Sequence, residues 1–318
     1  MNQQSEESAH ATRTLILLAF GVIYIVWGST YLGIHIAIES IPPFVMGAMR
    51  FLAAGVALYA WLRWRGVPNP SPAQWRNAAI VGALLLGGGN GGVSWAQQRV
   101  PSNVTALIVA IAPVWFTLLD WARPSGKRPQ AQTLLGIAVG FTGMLLLVGS
   151  RESLRQSSLD PVGAAVLLAS SLCWAGGSLY SRYTPKPAAP LMAVAQQMIC
   201  GGVLLFLMST GAGELRNFTF NQITTRSWLA LLYLTVIGSL VAFSAYSWLL
   251  NQTTPARLST YAYVNPVIAL FLGWLVLGEH LTPRMLGAAA VILLGVVIIT
   301  TRRSVASPPT IPSPRRAA

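Results

Sequence analysis

Between Arg257 and Glu279 the chain runs for 21 residues without a charge, and most of them are apolar. A run of that length, wound as an α-helix, crosses the roughly 30 Å hydrocarbon core of a bilayer. Runs of this kind recur along the whole chain. In lipid, backbone N–H and C=O groups must be satisfied within the segment, and helices do that. Charged residues make up only 9% of the chain, against about 25% in soluble domains. Mean hydropathy is +0.58. So few charges cannot clothe a water-facing surface. The sequence therefore reads as an all-α integral membrane protein with the lipid bilayer as its surroundings.

The hydropathy pattern predicts ten transmembrane helices, at about 14–34, 43–61, 73–95, 102–121, 130–149, 161–180, 188–208, 227–249, 258–277 and 283–301. The expected organisation is an N-terminal segment (1–13), a first five-helix unit (14–150), a connector (151–160), a second five-helix unit (161–303) and a disordered, Pro- and Arg-rich tail (304–318). The formal net charge is +13, which could suggest a nucleic-acid partner. Its distribution argues otherwise, because the basic residues sit in short connectors and at the C-terminus. With the N-terminus inside, 14 Lys and Arg fall on inner segments and 6 on outer ones. That bias places both termini in the cytoplasm and supports an even number of spans. Cys173 and Cys200 lie inside apolar runs without ligand spacing, so neither a disulfide framework, a metal site nor a cofactor is expected.

A shift of 153 residues superposes Trp75 on Trp228, Ser94 on Ser247, Trp95 on Trp248, Pro113 on Pro266 and Trp121 on Trp274 without a gap. Tryptophan is rare enough for three such pairs to indicate an internal repeat. Five is odd, so a second five-helix unit would start on the opposite face. The expected architecture is two inverted repeats around a central cavity, as in many secondary transporters.

Candidate functional residues are polar or aromatic groups inside spans, where they need a partner or a cavity. Tyr261 and Asn265 are four apart and share a helix face, while Tyr263 points elsewhere. Trp27, Thr30 and Tyr31 lie at helical spacing in the first span, and Trp174 and Ser178 in the sixth. A mixture of aromatic and polar groups suits an amphipathic solute, and ordinary packing is the competing reading. Asn90 lies in Gly87-Gly-Gly-Asn-Gly-Gly92. That run has no following Gly-Lys-Ser/Thr and sits in an apolar span, so it reads as close helix approach or local unwinding rather than a phosphate loop. Trp95 is expected at a rim, and of the adjacent Gln196 and Gln197 at least one, taken as Gln197, should face the interior. Pro113 and Pro266 are expected helix kinks and candidate gating points. Arg50, alone within an apolar run, reads as a structural charge or tether, with anion binding the weaker alternative. Gly136, Gly140 and Gly143 form a small-residue stripe, with Gly287 and Gly295 as counterparts. Such stripes favour tight packing inside the fold or against a second copy, which leaves a homodimer open.

Taken together, these residues resemble the drug/metabolite transporter superfamily, of the type with two tandem EamA domains. The resemblance rests on Trp27-Gly-Ser-Thr-Tyr-Leu32, Arg50-Phe-Leu-Ala-Ala54, Tyr263-Val-Asn-Pro-Val267, Leu277-Gly-Glu-His-Leu-Thr-Pro283 and Leu286-Gly-Ala-Ala288 with Leu294-Gly295. It covers essentially residues 14–302. It implies a multi-pass carrier of the bacterial inner membrane with a basket-like central cavity, often exporting amino acids, related metabolites or toxic compounds. Glu279 keeps the family's acidic turn in the second half, where it is expected to brace the last hairpin. The first half has Arg123-Pro-Ser-Gly-Lys-Arg-Pro129 there instead.

The leading functional expectation is a secondary transporter, outward-directed, moving small organic solutes by alternating access. A membrane enzyme acting on a lipid-like substrate would need clustered acids, histidines or a nucleophile. The eight acidic residues are scattered and the three histidines lie far apart in sequence. A channel, for which no repeated filter is visible, and a non-transporting sensor complete the alternatives.

Overall fold

A computed structural model describes residues 3–100, 102–124, 126, 128–148, 160–216, 218–277 and 283–301. The elements are α1 (Gln3–Ala37), α2 (Pro43–Trp64), α3 (Pro72–Gly82), a π-helical stretch (Ala83–Gly91) and α4 (Gly92–Ala96). Then come α5 (Ser102–Val109), α6 (Ala112–Trp121), α7 (Ala131–Val148), α8 (Pro161–Tyr183) and α9 (Pro190–Gly211). A second π stretch (Leu234–Phe243) separates α10 (Thr225–Tyr233) from α11 (Ser244–Gln252). The last helices are α12 (Pro255–Leu258), α13 (Tyr261–Leu277) and α14 (Pro283–Thr300).

The fold is all-α and multi-span, but the expected ten-helix bundle of two inverted five-helix repeats is corrected. Among the described residues, six helical segments are long and apolar enough to cross a membrane: Arg13–Ala37, Pro43–Trp64, Pro72–Ala96, Pro161–Tyr183, Pro190–Gly211 and Thr225–Gln252. The remaining apolar runs give shorter pieces. The run at 102–121 is split by turn residues Ala110 and Ile111. Pro113 has no N–H to extend a helix from upstream, and it sits in the first turn of α6, where none is needed. Pro266, its partner in the 153-residue register, lies inside the unbroken α13. The two prolines thus shape their backbones differently. The apolar helices Ala131–Leu146 and Leu286–Thr300 are also short of spanning length.

Several helix starts are fixed locally. Ser71 and Gln74 form a reciprocal capping box, with Ser71 N–H donating to Gln74 Oε1 at 2.8 Å and Gln74 N–H to Ser71 Oγ at 3.3 Å. Asp160 accepts from Val162 N–H at 3.1 Å. The start of α2 is capped from far away. Glu214, in the connector after α9, accepts from Phe44 N–H and Val45 N–H at 3.1 and 3.0 Å. A carboxylate there also meets the positive end of the helix dipole. Partial burial pushes the Glu214 carboxyl up, and the two N–H donors pull it the other way.

Glycines knit two helix pairs. A methyl group at Gly295 of α14 would lie 2.5 Å from Gly140 N of α7, and one at Gly143 would lie 2.7 Å from Ile292 N. In the α2–α9 pair, a methyl at Gly55 would meet Ile199 N at 2.9 Å, and one at Gly202 would meet Leu52 N at 2.9 Å. Backbones this close are held by van der Waals contact. Tyr263 belongs to the α7–α14 region. It is fully buried, its ring lies against Gly140, and its hydroxyl donates to Ile137 O at 3.3 Å.

Candidate functional site

A cavity of about 720 Å³, its open mouth included, lies where α1, α2, the two π stretches, α8 and α13 converge. Helix spacing explains the α1 wall, since Trp27, Thr30, Tyr31 and Ile34 repeat every three to four residues. On α13, Tyr261 and Asn265 reach the cavity from one face. Of the glycines noted around Asn90, Gly87, Gly88, Gly89 and Gly91 fall in the first π stretch, and Gly89 and Asn90 themselves line the cavity. A methyl at Gly89 would lie 3.0 Å from the Trp174 ring, so glycine there lets the indole approach the backbone. A π turn widens a helix and is frequent at functional sites. The second π stretch contributes Gly238 and Phe243.

Aromatic rings form one wall and floor. Trp27 lies 5.4 Å from Trp174 and 5.0 Å from Tyr261, edge to face in both cases. Tyr246 sits beneath, 4.8 Å from Trp27 and 5.5 Å from Trp174. Its hydroxyl receives Trp174 Nε1–H at 3.1 Å and pairs with Ser178 Oγ at 2.6 Å. Ser178 therefore braces the floor rather than lining the cavity.

The polar side of the cavity is under-satisfied. Arg50 is 3% exposed. Its Nε donates to Ser239 Oγ at 2.7 Å, and its guanidinium lies 4.8 Å from the Phe51 ring centre. Nη1 of Arg50, Oδ1 of Asn90 and Oδ1 of Asn265 are buried without a hydrogen-bond partner. Each such group costs about 1–3 kcal/mol if left unmet, more if charged. None of the described lining residues is acidic.

A second cavity, about 680 Å³ on the same measure, is lined by Ser181, Gln197, Ser247, Trp248 and Asn251 among others. On α8, Ser178 falls between Trp174 of the first cavity and Ser181 of the second. On α11, Tyr246 follows Phe243 of the first cavity and lies among Ser244, Ser247 and Trp248 of the second. Trp174, Ser178 and Tyr246 thus form one hydrogen-bonded layer, with Trp174 lining the first cavity. Gln197 Nε2 donates to Ser181 Oγ at 3.5 Å and leaves its Oε1 unpartnered. This end is tied together by Arg182, which donates to the carbonyls of Leu250 and Thr253, and by Lys186 Nζ donating to Asn251 Oδ1 at 2.9 Å. Partial burial, with the Arg182 charge nearby, pushes the Lys186 ammonium down to about 8.

Of the residues expected at a cavity, Trp27, Thr30, Tyr31, Asn90, Trp174, Tyr261 and Asn265 meet in the first one. Gln197 lines the second. Trp95 lies in neither; Arg99 stacks over it at 4.7 Å at the end of α4. Arg50, expected as a tether, joins the first cavity. Glu279 lies outside the described residues. Tyr246, Phe243 and Ser239 are site residues that sequence reasoning missed. A tyrosine beside Ser244 and Ser247 and a Gly-Ser pair at 238–239 were the available signals. Among the described residues no group of three His, Cys, Asp or Glu gathers to hold a metal.

The sequence profile of the EamA-like transporter family matches residues 13–149 and again 161–301. The chain is 40% identical to the uncharacterized inner membrane transporter YedA of Escherichia coli (strain K12), covering 89% of each chain. It is 25% identical to the probable amino-acid metabolite efflux pump of Salmonella typhimurium (strain LT2), covering 87% of this chain and 92% of that one. One crystal structure shares the fold at a TM-score of 0.70 and 20% identity, covering 91% of this chain and 98% of the other.

Proposed function

We propose, from the premise that the chain belongs to the EamA-like transporter family, that its first cavity is the solute-binding site. The protein is a multi-pass inner-membrane transporter of small organic solutes, not an enzyme. The observation that carries the site is the meeting, in one cavity, of an aromatic wall with three buried, unpartnered polar atoms. A pocket that is mostly apolar with a few convergent polar groups is what a small solute needs.

The Tyr246–Ser178–Trp174 layer is the barrier between this cavity and the second one. Transport requires it to part while the mouth of the first cavity closes, so that the site faces one side at a time. Residues 14–150 and 161–303 are read as the two halves that move. Export is the proposed direction, supported by the efflux role in the name of the Salmonella relative. Gly136, Gly140, Gly143 and Gly295 are taken up inside one chain, while a methyl at Gly287 would meet nothing within 4 Å, which leaves that position open to a second copy.

Purified protein in proteoliposomes should carry labelled amino acids or amphipathic metabolites in saturable fashion. Trp27→Phe and Asn265→Ala should change KM or maximal flux while the folded protein melts as before. Unchanged kinetics in both variants would remove this cavity from the pathway.

A further inference from the structure

Arg50 is a buried cation without an anion. The ion pairs among the described residues, Arg99–Asp160, Arg123–Asp120 and Arg226–Glu39, all lie at helix ends or connectors. Ser239 Oγ, a neutral acceptor, takes only Nε, and Ser239 is itself committed as a donor to Leu234 O at 3.1 Å. The Phe51 face offers a weak quadrupole contact. A buried charge is retained only where something neutralises it, and a guanidinium fork matches a carboxylate in shape as well as charge. Gly238 keeps the space open, since a methyl there would lie 2.9 Å from Arg50 Nη2. Across the cavity, the two unpartnered oxygens of Asn90 and Asn265 are acceptors, and they call for neutral donors. The described lining offers no carboxylate to an ammonium group.

We propose that the cavity takes a compact amphipathic organic anion. Its carboxylate meets Arg50, its apolar or aromatic body lies against Trp27 and Trp174, and a hydroxyl or amide N–H serves Asn90 or Asn265. This rests on the cavity being the solute site, and it adds the charge class. An amine or a net cation is disfavoured, because it would bring positive charge to Arg50 with nothing acidic to balance it.

The test uses the full chain in phosphatidylcholine nanodiscs, where no lipid supplies an anionic headgroup. Tryptophan emission is titrated with phenylpropionate, phenylpropanamide and phenylpropylamine, which differ only in the polar end. Phenylpropionate should bind at least about tenfold tighter than the amide, the margin of a charge-assisted over a neutral contact. Arg50→Gln should bring that ratio close to one with amide affinity retained. Gly238→Ala keeps the charge but crowds the guanidinium, and should weaken the anion alone. Equal affinities in the wild type, or tightest binding of the amine, would overturn the charge class and leave the cavity as solute site. This comparison needs no variant to fold. An anion preference that survives Arg50→Gln would overturn the assignment to Arg50. No response to any probe would overturn both readings.

Discussion

Along the α7–α14 seam, Gly140, Gly143 and Gly295 bring two backbones within contact. In the two π stretches, Gly89 and Gly238 instead leave room for the Trp174 ring and the Arg50 guanidinium. The residue is the same and the result is opposite. On the seam, the space given up by a side chain is filled by another backbone, and Leu134, Leu135, Leu145, Leu293 and Leu294 remain exposed on the outer faces. Such faces suit lipid. At the cavity, the space is filled by polar and aromatic side chains, and some of their atoms stay unpartnered. Dense backbone contact makes a seam that resists change, whereas a widened turn holding half-satisfied groups can rearrange at low cost.

The largest expected effect breaks the seam. Gly295→Val puts side-chain carbons into the Gly140 backbone and should cost about 3 kcal/mol. The readout is a lower melting temperature in detergent and less folded protein in the membrane. A wild-type melt would mean that the seam is loose and the contrast false.

Next comes the cavity floor. Trp174→Phe removes the indole hydrogen bond to Tyr246 and keeps a ring beside Trp27, a loss of about 1 kcal/mol. Flux per folded molecule should fall about tenfold, with a far smaller loss of stability than Gly295→Val. An equal loss of stability would place the floor in the scaffold.

Glu214→Ala lies outside both regions. It removes the distant cap of α2 and should lower stability by about 1 kcal/mol, with solute selectivity unchanged. A changed selectivity would tie the connector to the cavity.

The smallest effect is a pH dependence at the second cavity. Lys186 sits at about 8, below the ordinary lysine value of 10.5. Between those values the unfolded chain binds more protons than the folded one, so stability should rise as pH climbs from about 8. Lys186→Met should flatten that rise. A slope that persists in the variant would assign it to another group.

How much of this was legible in the sequence varies with the distance between partners. Trp27, Tyr31, Asn90, Trp174, Tyr261 and Asn265 stand out because polar and aromatic groups in apolar runs need a reason, and they do converge. Arg50 was visible as an anomaly, but its role was not. Its nearest partner, Ser239, lies 189 residues away, and a lone arginine in a span reads equally well as a tether. Tyr246 has no polar neighbour at helical spacing within its own turn, and its hydrogen bonds run to α8. The equivalent positions of Pro113 and Pro266 suggested like helices. One falls in a first helical turn after a break and the other inside a helix, a distinction made by neighbouring backbone rather than by the proline. Among the described residues six long spanning segments stand where hydropathy alone suggested ten, and the turn at Ala110 and Ile111 accounts for the split of the run at 102–121.

The most direct measurement is solute protection of a single cysteine in the cavity. Asn90→Cys, with Cys173 and Cys200 both changed to Ala, would be labelled by a small methanethiosulfonate in proteoliposomes. The flux panel's fastest-moving solute is then added. If the cavity is the solute site, labelling proceeds without solute and slows as solute saturates, at the concentration that half-saturates transport. Labelling at the same rate with and without a transported solute would contradict it.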